Sequence, residues 1–172
     1  MGYRTTIGPL DDDFHALKIF VGMFGGVYSS NLNRVIREEL SFTYSIYAYL
    51  IGKAKVMYVN AGLDSKNCDE TIRIIGEELN KYKNGEIDQE LLASTKAEML
   101  DGLRSFDDNP GRVLEAFINS NTIYKGIKEF KTINEYIRPI KEGIEKVDLN
   151  AIQRVANTIK LDTIYRLQKE NI

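Results

Sequence analysis

The sequence predicts an α+β domain in which helices cover an antiparallel or mixed sheet. Three observations lead to this class. Residues 43–51 and 55–63 are two runs rich in aromatic and β-branched residues, separated by Gly52-Lys53, which is the pattern of a β-hairpin. Most of the remaining chain repeats apolar residues at helical spacing. Short β-favouring segments near both ends give the order β-α-α-β-β, three or more helices, then β.

One strand and two helices are predicted before the hairpin. Residues 3–8 favour β structure and end at a Gly-Pro turn signal. The acidic run 11–13 offers N-cap side chains for a helix that the glycines 25–26 should end. A second helix is expected from residue 29 or 30 to about residue 40. The apolar stripes are Phe14, Leu17, Phe20, Val21 and Phe24 in the first helix, and Leu32, Val35, Ile36 and Leu40 in the second.

After the hairpin the chain is predicted to be mostly helical. Asn67 with Glu70 resembles a capping box, and Asn84-Gly85 should end that helix. The next four helices are predicted to start at Asp88, at Asn109-Pro110, at Thr132 with Glu135, and at Asp148. Pro139 should kink or interrupt the helix that contains it, because proline lacks an amide hydrogen. Residues 162–168 resemble a closing strand.

Composition indicates one globular domain, residues 1–172, that does not bind nucleic acid or span a membrane. Hydrophobic residues make up 43% and charged residues 28%, and the net charge of -2 comes without a basic stripe. The apolar run 19–24 is far shorter than the ~20 residues that cross a bilayer. Cys68 cannot form an internal disulfide, and residues 1–6 do not resemble a signal peptide. We therefore expect a cytoplasmic protein.

Local motifs for a metal site or a catalytic nucleophile are not found. The single histidine, His15, cannot form a His-Glu-x-x-His pair, and its place beside Phe14 predicts a partly exposed helix residue. Cys68 is expected to be a small residue near a helix start. Paired carboxylates such as Glu77-Glu78 are expected to be solvated. The glycines at 22, 25 and 26 could cradle an anion with the following serines, but a tight turn explains them adequately.

Two hydrogen-bond donors remain as candidates for chemistry. Arg37 and Tyr44 are seven residues apart across a predicted helix-to-strand turn, which could bring guanidinium and phenol to one rim of the sheet. Such donors can hold a carbonyl oxygen that becomes negative during acyl transfer. Two alternatives stay open from the residues alone. Arg37 could pair with Glu38, Glu39 or another carboxylate, and Tyr44 could be an ordinary strand aromatic.

A longer pattern around these two residues resembles a known family. It reads Phe24-Gly25-Gly26-x-x-Ser29-Ser30-x-Leu32, followed by Ile36-Arg37-Glu38-Glu39-Leu40-x-x-x-Tyr44-Ser45. It is similar to the signature of the second homologous domain of pitrilysin/insulinase-type zinc metallopeptidases, the group that includes mitochondrial processing peptidase. The helical block and the start of a late helix at Val147-Asp148 extend the resemblance over nearly the whole chain.

The resemblance implies a metallopeptidase half-domain that carries no zinc ligands. In this family the other domain or subunit holds zinc through His-x-x-Glu-His and a distant Glu, and the second domain supplies an Arg and a Tyr that contact the peptide substrate. Those two map to Arg37 and Tyr44. Zinc is expected in a homologous partner, either a domain of the same chain or a separate subunit. In the second case the assembly would be a homodimer or a heterodimer. This chain alone is then expected not to cleave peptides.

The chain departs from the family pattern at one turn, and two other functions compete. Many relatives have Gly-Leu where this chain has Ser41-Phe42, which changes the turn before Tyr44. A non-catalytic structural or assembly module of the same fold would give Arg37 and Tyr44 no role. An anion- or nucleotide-binding domain would instead use the glycine turn at residues 25–26.

Overall fold

The computed structural model describes residues 1–106, 108–127 and 129–167. Its elements follow the predicted order. They are β1 (Gly2–Arg4), α1 (Phe14–Val21), β2 (Thr43–Ile51), β3 (Val56–Leu63), α2 (Cys68–Lys83), α3 (Gln89–Arg104), α4 (Pro110–Thr122), α5 (Ile133–Lys146), α6 (Leu149–Thr158) and β4 (Lys160–Thr163). Two π-helical segments, Gly22–Gly26 and Asn33–Glu39, lie between α1 and β2.

The four strands form one antiparallel sheet in the order β2-β3-β1-β4. The predicted hairpin is β2 and β3, with Tyr49 opposite Tyr58. Gly52–Ala54 makes one tight helical turn between them, and Lys55 takes a left-handed conformation with φ 54°. The strand order places β2 at one edge of the sheet. Of the two predicted forms, antiparallel or mixed, the antiparallel sheet is observed.

One face of the sheet packs on the helices. Side chains from β2 and β3 on this face, such as Ile46, Ala48, Met57 and Val59, are buried against α1 and the first π-helical segment. Phe20, Phe24 and Tyr82 pack together at the centre, with ring centroids 5.3–6.0 Å apart. The apolar stripes predicted for these helices thus form the core.

Four of the predicted helix starts are confirmed by side-chain caps. The capping oxygens belong to Asp88, Asn109, Thr132 and Asp148, and each accepts a backbone amide hydrogen of the first turn. Two other predicted caps are wrong, because tertiary partners take their side chains. The Asp13 carboxylate accepts hydrogen bonds from Arg154 at 2.6 and 2.9 Å. The Asn67 amide donates to the carbonyl of Phe42 at 3.5 Å.

Two predicted strand boundaries and one predicted helix interruption differ from the structure. The first strand is Gly2–Arg4 rather than residues 3–8. The closing strand is Lys160–Thr163, because its partner β1 is so short, and residue 168 of the predicted strand lies outside the described residues. Pro139 does not interrupt its helix: α5 continues on both sides of it, at the cost of the amide hydrogen bond that proline cannot make.

Candidate functional site

Gly25 and Gly26 let a helix lie directly on the edge strand. A Cβ on Gly25 would lie 2.9 Å from the Cβ and 3.0 Å from the backbone nitrogen of Ala48 in β2. Neither glycine has a positive φ, so a tight turn is not the reason for them. The predicted helix end at these residues is confirmed, because the π-helical segment closes with Val27 N–H donating to the Gly22 carbonyl at 3.1 Å. The glycines are needed for close approach.

Buried polar contacts fix the start of the next helical segment. The Asn33 amide donates to the Ser30 hydroxyl at 3.0 Å, and both side chains are buried. The Asn31 amide donates to Glu78 at 3.4 Å, and Lys81 pairs with the same carboxylate at 2.7 Å. Glu78 is only 3% exposed, so the prediction of a solvated carboxylate is wrong there. Because the Ser30 hydroxyl is already engaged, it adds little support to an anion site at this turn.

Ser41 occupies a turn position where a glycine would be unstrained. The π-helical segment ends with Leu40 N–H donating to the Val35 carbonyl and Phe42 N–H donating to the Ile36 carbonyl, at 3.2 and 3.0 Å. This closure requires a left-handed residue, and Ser41 has φ 53°. The family resemblance puts a glycine at this place. The chain therefore departs from the pattern by placing a residue with a Cβ in the left-handed conformation that a glycine would adopt there.

Replacing Ser41 by Gly should stabilise the protein. A left-handed residue with a Cβ costs roughly 1–2 kcal/mol relative to a right-handed one, and glycine avoids most of this cost. Glycine also gives the unfolded chain more freedom, so we expect a net gain of about 0.5–1 kcal/mol in the free energy of unfolding by urea titration. Ser41→Ala, which keeps a Cβ, is the matched control. A Gly variant no more stable than the Ala variant would contradict the prediction.

Tyr44 lies at a β-bulge near the start of the edge strand. Thr43 pairs with Leu63 and Ser45 pairs with Gly62, so Tyr44 is an extra residue in β2 with no partner in β3. A bulge re-aims side chains, and the Tyr44 ring is 80% exposed. Its hydroxyl has no hydrogen-bond acceptor among the described residues. The phenol is thus presented to solvent at one end of the strand.

Arg37 is also exposed, in the last turn of the π-helical segment. Its guanidinium carbon lies 5.6 Å from the ring centroid of Tyr28, in a cation–π contact. Glu39, one of the partners considered from the sequence, instead pairs with Arg34 at 2.5 Å. No carboxylate of the described part of the chain forms an ion pair with Arg37. Tyr28 is a contact that sequence reasoning missed, because nothing in the local spacing indicates it.

The two predicted site residues therefore flank one short turn. Arg37 precedes it and Tyr44 follows it, both exposed, and no hydrogen bond joins the two side chains. Further along the outer face of the sheet, Tyr49 stacks on Tyr47 and on Tyr58, with centroids 6.0 and 5.2 Å apart. The sequence indicated an aromatic-rich strand but not this exposed row. The same face could contact apolar groups of a bound peptide.

His15 and Cys68 take the places expected for them. His15 is half-buried in α1 with its ring against Gly143 of α5, where a Cβ would clash with the imidazole. Burial, with the nearby charge of Lys18, lowers the pKa of His15 below its usual value. Cys68 is the half-buried first residue of α2.

Ligands for a metal do not converge in this structure. Within the described residues, no group of three or more His, Cys, Asp or Glu side chains could hold an ion. The residues present therefore do not fit a zinc ion. The helices of the described part also include none long and apolar enough to cross a membrane.

The structure defines an α+β domain in which helices cover one face of a four-stranded antiparallel sheet, with no cluster of metal ligands among its described residues. The sequence profile of the "Peptidase M16 inactive domain" matches residues 3–99. The chain belongs to this family. The resemblance stated from the sequence and the predicted fold class are both confirmed.

Three proteins resemble this chain over most of its length. "Probable inactive metalloprotease YmfF" of Bacillus subtilis (strain 168) is 31% identical over 98% of this chain and 38% of its own length. A crystal structure of a conserved protein from Enterococcus faecalis V583 is 29% identical, with a TM-score of 0.78 over 92% of this chain and 36% of that one. The peptidase M16 inactive domain from Pseudomonas fluorescens shares the fold, with a TM-score of 0.73 at 12% identity over 92% of this chain and 38% of that one. This chain spans little more than a third of these relatives.

Proposed function

We propose that this chain is one domain of a zinc-dependent peptidase assembly and supplies contacts to the peptide substrate, while a homologous partner domain or subunit holds the zinc. The observation that carries this proposal is Tyr44. It is an exposed phenol at a β-bulge, seven residues after an exposed arginine. The family resemblance maps these two residues to the family's assisting pair. Because this domain provides no cluster of metal ligands among its described residues, the metal chemistry would belong to the partner.

The proposed role of Tyr44 is to stabilise negative charge on the substrate. Its hydroxyl would donate a hydrogen bond to the oxygen of the carbonyl under attack, where charge develops as the tetrahedral species forms. The bulge supports this role in two ways. It points the ring away from the core, and none of the residues that the structure describes accepts a hydrogen bond from the hydroxyl, so no such acceptor competes with the substrate.

The proposed role of Arg37 is to orient the peptide. A guanidinium can donate several hydrogen bonds in a fixed plane, so it can bind a neighbouring carbonyl and set its direction. The stacking on Tyr28 holds Arg37 without consuming its in-plane donors. The stacked tyrosines on the outer face of β2 and β3 would add apolar contacts to the same peptide.

The dependence on a partner is tested directly with the purified chain. We expect less than stoichiometric zinc by elemental analysis and no cleavage of a mixed peptide library by mass spectrometry. Adding the separately purified zinc-bearing domain or subunit should produce cleavage above the level of that partner alone. Stoichiometric zinc together with cleavage in the absence of any partner would overturn the proposal.

A second candidate is a non-catalytic structural or assembly module of the same fold. It is favoured by the name of the Bacillus subtilis relative, which describes that protein as an inactive metalloprotease. In that case the partner half would carry no working zinc site, and exchanging Arg37 or Tyr44 would change nothing in a cleavage assay. The substitutions argued in the Discussion separate the two candidates.

A further inference from the structure

A pocket of about 580 Å³ lies at the other end of β2 from Tyr44. It is bounded by α1, by the turn between β2 and β3, by the end of α3, and by α4 and α5. Leu50 and Ile51 line it. They follow Tyr44 by six and seven residues, which separates the pocket from Tyr44 by roughly 20 Å along the strand. Its volume is in the range of small-molecule sites. It is therefore distinct from the peptide-binding segment proposed above.

The walls of the pocket are mostly apolar. The apolar side chains that line it include Phe14, Leu50, Leu103, Phe106, Ile118 and Ile140. A cavity with such walls favours the apolar part of a ligand, at about 25 cal/mol per Å² of surface removed from water. Apolar walls alone do not select a ligand, so the polar groups decide its class.

Lys18 places an ammonium group in this pocket without an ion-pair partner. Within the described residues, no carboxylate lies within 4.0 Å of its Nζ. The cation lies 5.9 Å from the ring centroid of Phe14. Burial lowers the pKa of Lys18, and the nearby charge of Glu115 offsets this only partly. Glu115 therefore compensates this cation only from a distance, and an anion that reached Lys18 would form the close ion pair that the described residues do not supply.

Two further cationic side chains and one carboxylate lie around the pocket, so its cations outnumber its carboxylates. Lys53 and Arg112 line it, and their side chains donate to the Thr122 hydroxyl at 3.3 Å and the Gly102 carbonyl at 2.8 Å. Glu115 contributes a negative charge but is exposed. The buried Nδ1 of His15 has no hydrogen-bond partner among the residues that the structure describes, and it offers another polar contact.

We propose that this pocket binds a carboxylate carried on a small apolar body, with the carboxylate paired to Lys18 and the apolar part against α4 and α5. A cationic ligand would add a second charge beside the ammonium, and a neutral apolar ligand would leave Lys18 unpaired. The carboxylate could come from a free fatty acid of medium length or from the C-terminus of a short apolar peptide. This binding does not depend on the proposed peptidase role.

Three matched probes test the chemistry on the purified full chain. By isothermal titration, octanoate should bind at least tenfold more tightly than 1-octanol, and octylammonium should not bind. Acetyl-Leu-Leu with a free carboxyl group, compared with its amide, tests the peptide source. Whichever of octanoate and the free-carboxyl peptide binds more tightly identifies the source of the carboxylate. Failure of both carboxylates to bind more tightly than their uncharged analogues would overturn the proposal.

Two variants and one spectrum locate the site. Lys18→Met should weaken octanoate binding at least tenfold and leave 1-octanol unchanged, whereas Lys141→Met, at an exposed position of α5 outside the pocket, should change neither. In methyl-labelled wild-type protein, octanoate should shift the resonances of Ile118 and Ile140 and not that of Ile74 in α2, a measurement that does not require the variant to fold. Equal octanoate affinity in Lys18→Met, or shifts centred elsewhere, would overturn the proposal.

Discussion

Replacing Tyr44 by Phe in the complete zinc-bearing assembly should lower peptide turnover by about 10²–10³-fold, which is the typical cost of losing one preorganised donor to a developing oxyanion. The substitution removes only the hydroxyl, so the exposed ring and the bulge of β2 remain. Because the hydrogen bond would strengthen as charge develops, the loss should appear mainly in kcat rather than in KM. Steady-state kinetics with a defined fluorogenic peptide measure both.

Tyr47→Phe is the matched control for this experiment. Tyr47 lies on the same strand, is exposed on the outer face of the sheet, and loses the same atom in the substitution. It should change turnover little, because its proposed contact with the peptide uses the ring. Arg37→Ala should raise KM as well as lower kcat, since it would remove a group that orients the bound peptide. Unchanged kinetics in Tyr44→Phe and Arg37→Ala would favour the structural module instead.

Replacing Gly25 by Ala should destabilise the domain by roughly 3 kcal/mol, the upper end of the cost of overpacking a core. The new methyl group would meet the Cβ and the backbone nitrogen of Ala48, at 2.9 and 3.0 Å, together with the Leu32 side chain at 3.2 Å. A backbone atom cannot be moved aside by a rotamer change, so the helix and β2 must separate. Urea unfolding should show a lower midpoint with an unchanged slope.

Gly76→Ala provides an opposite control within the same protein. Gly76 lies inside α2, and a Cβ there would have no neighbour within 4 Å. Alanine is favoured over glycine in a helix interior by about 0.8–1.0 kcal/mol, so this variant should be more stable than the wild type. A Gly25→Ala variant that unfolds at the wild-type midpoint would show that the close approach to Ala48 does not require glycine.

The elements that could be predicted are those whose cause lies within a few residues. The hairpin follows from two β-favouring runs around Gly52, and its strand β2 has the predicted bounds. The caps at Asp88 and Asp148 follow because an N-cap oxygen needs only amide groups two or three residues away. The same rule failed at Asp13, since Arg154 competes for that carboxylate from 141 positions away in the sequence.

The sequence names two candidate site residues, whose role stays a prediction, but it does not give their geometry. Arg37 and Tyr44 were identified from a family resemblance, because the spacing alone left their roles open. The bulge at Tyr44 depends on the register between β2 and β3, and the contact of Arg37 with Tyr28 depends on how two helical segments meet. Neither has a local sequence signal.

By itself, then, the sequence determined the α+β class, the order of the elements and the family, because hydrophobic periodicity, caps and a signature motif are local properties of the chain. Tertiary structure decided where particular residues lie and what they contact. It made Gly25 a contact point against β2, turned Glu78 inward to hold Asn31, and gave Ser41 a left-handed conformation. The physical reason is that packing distance, burial and register arise between segments that are far apart in the sequence.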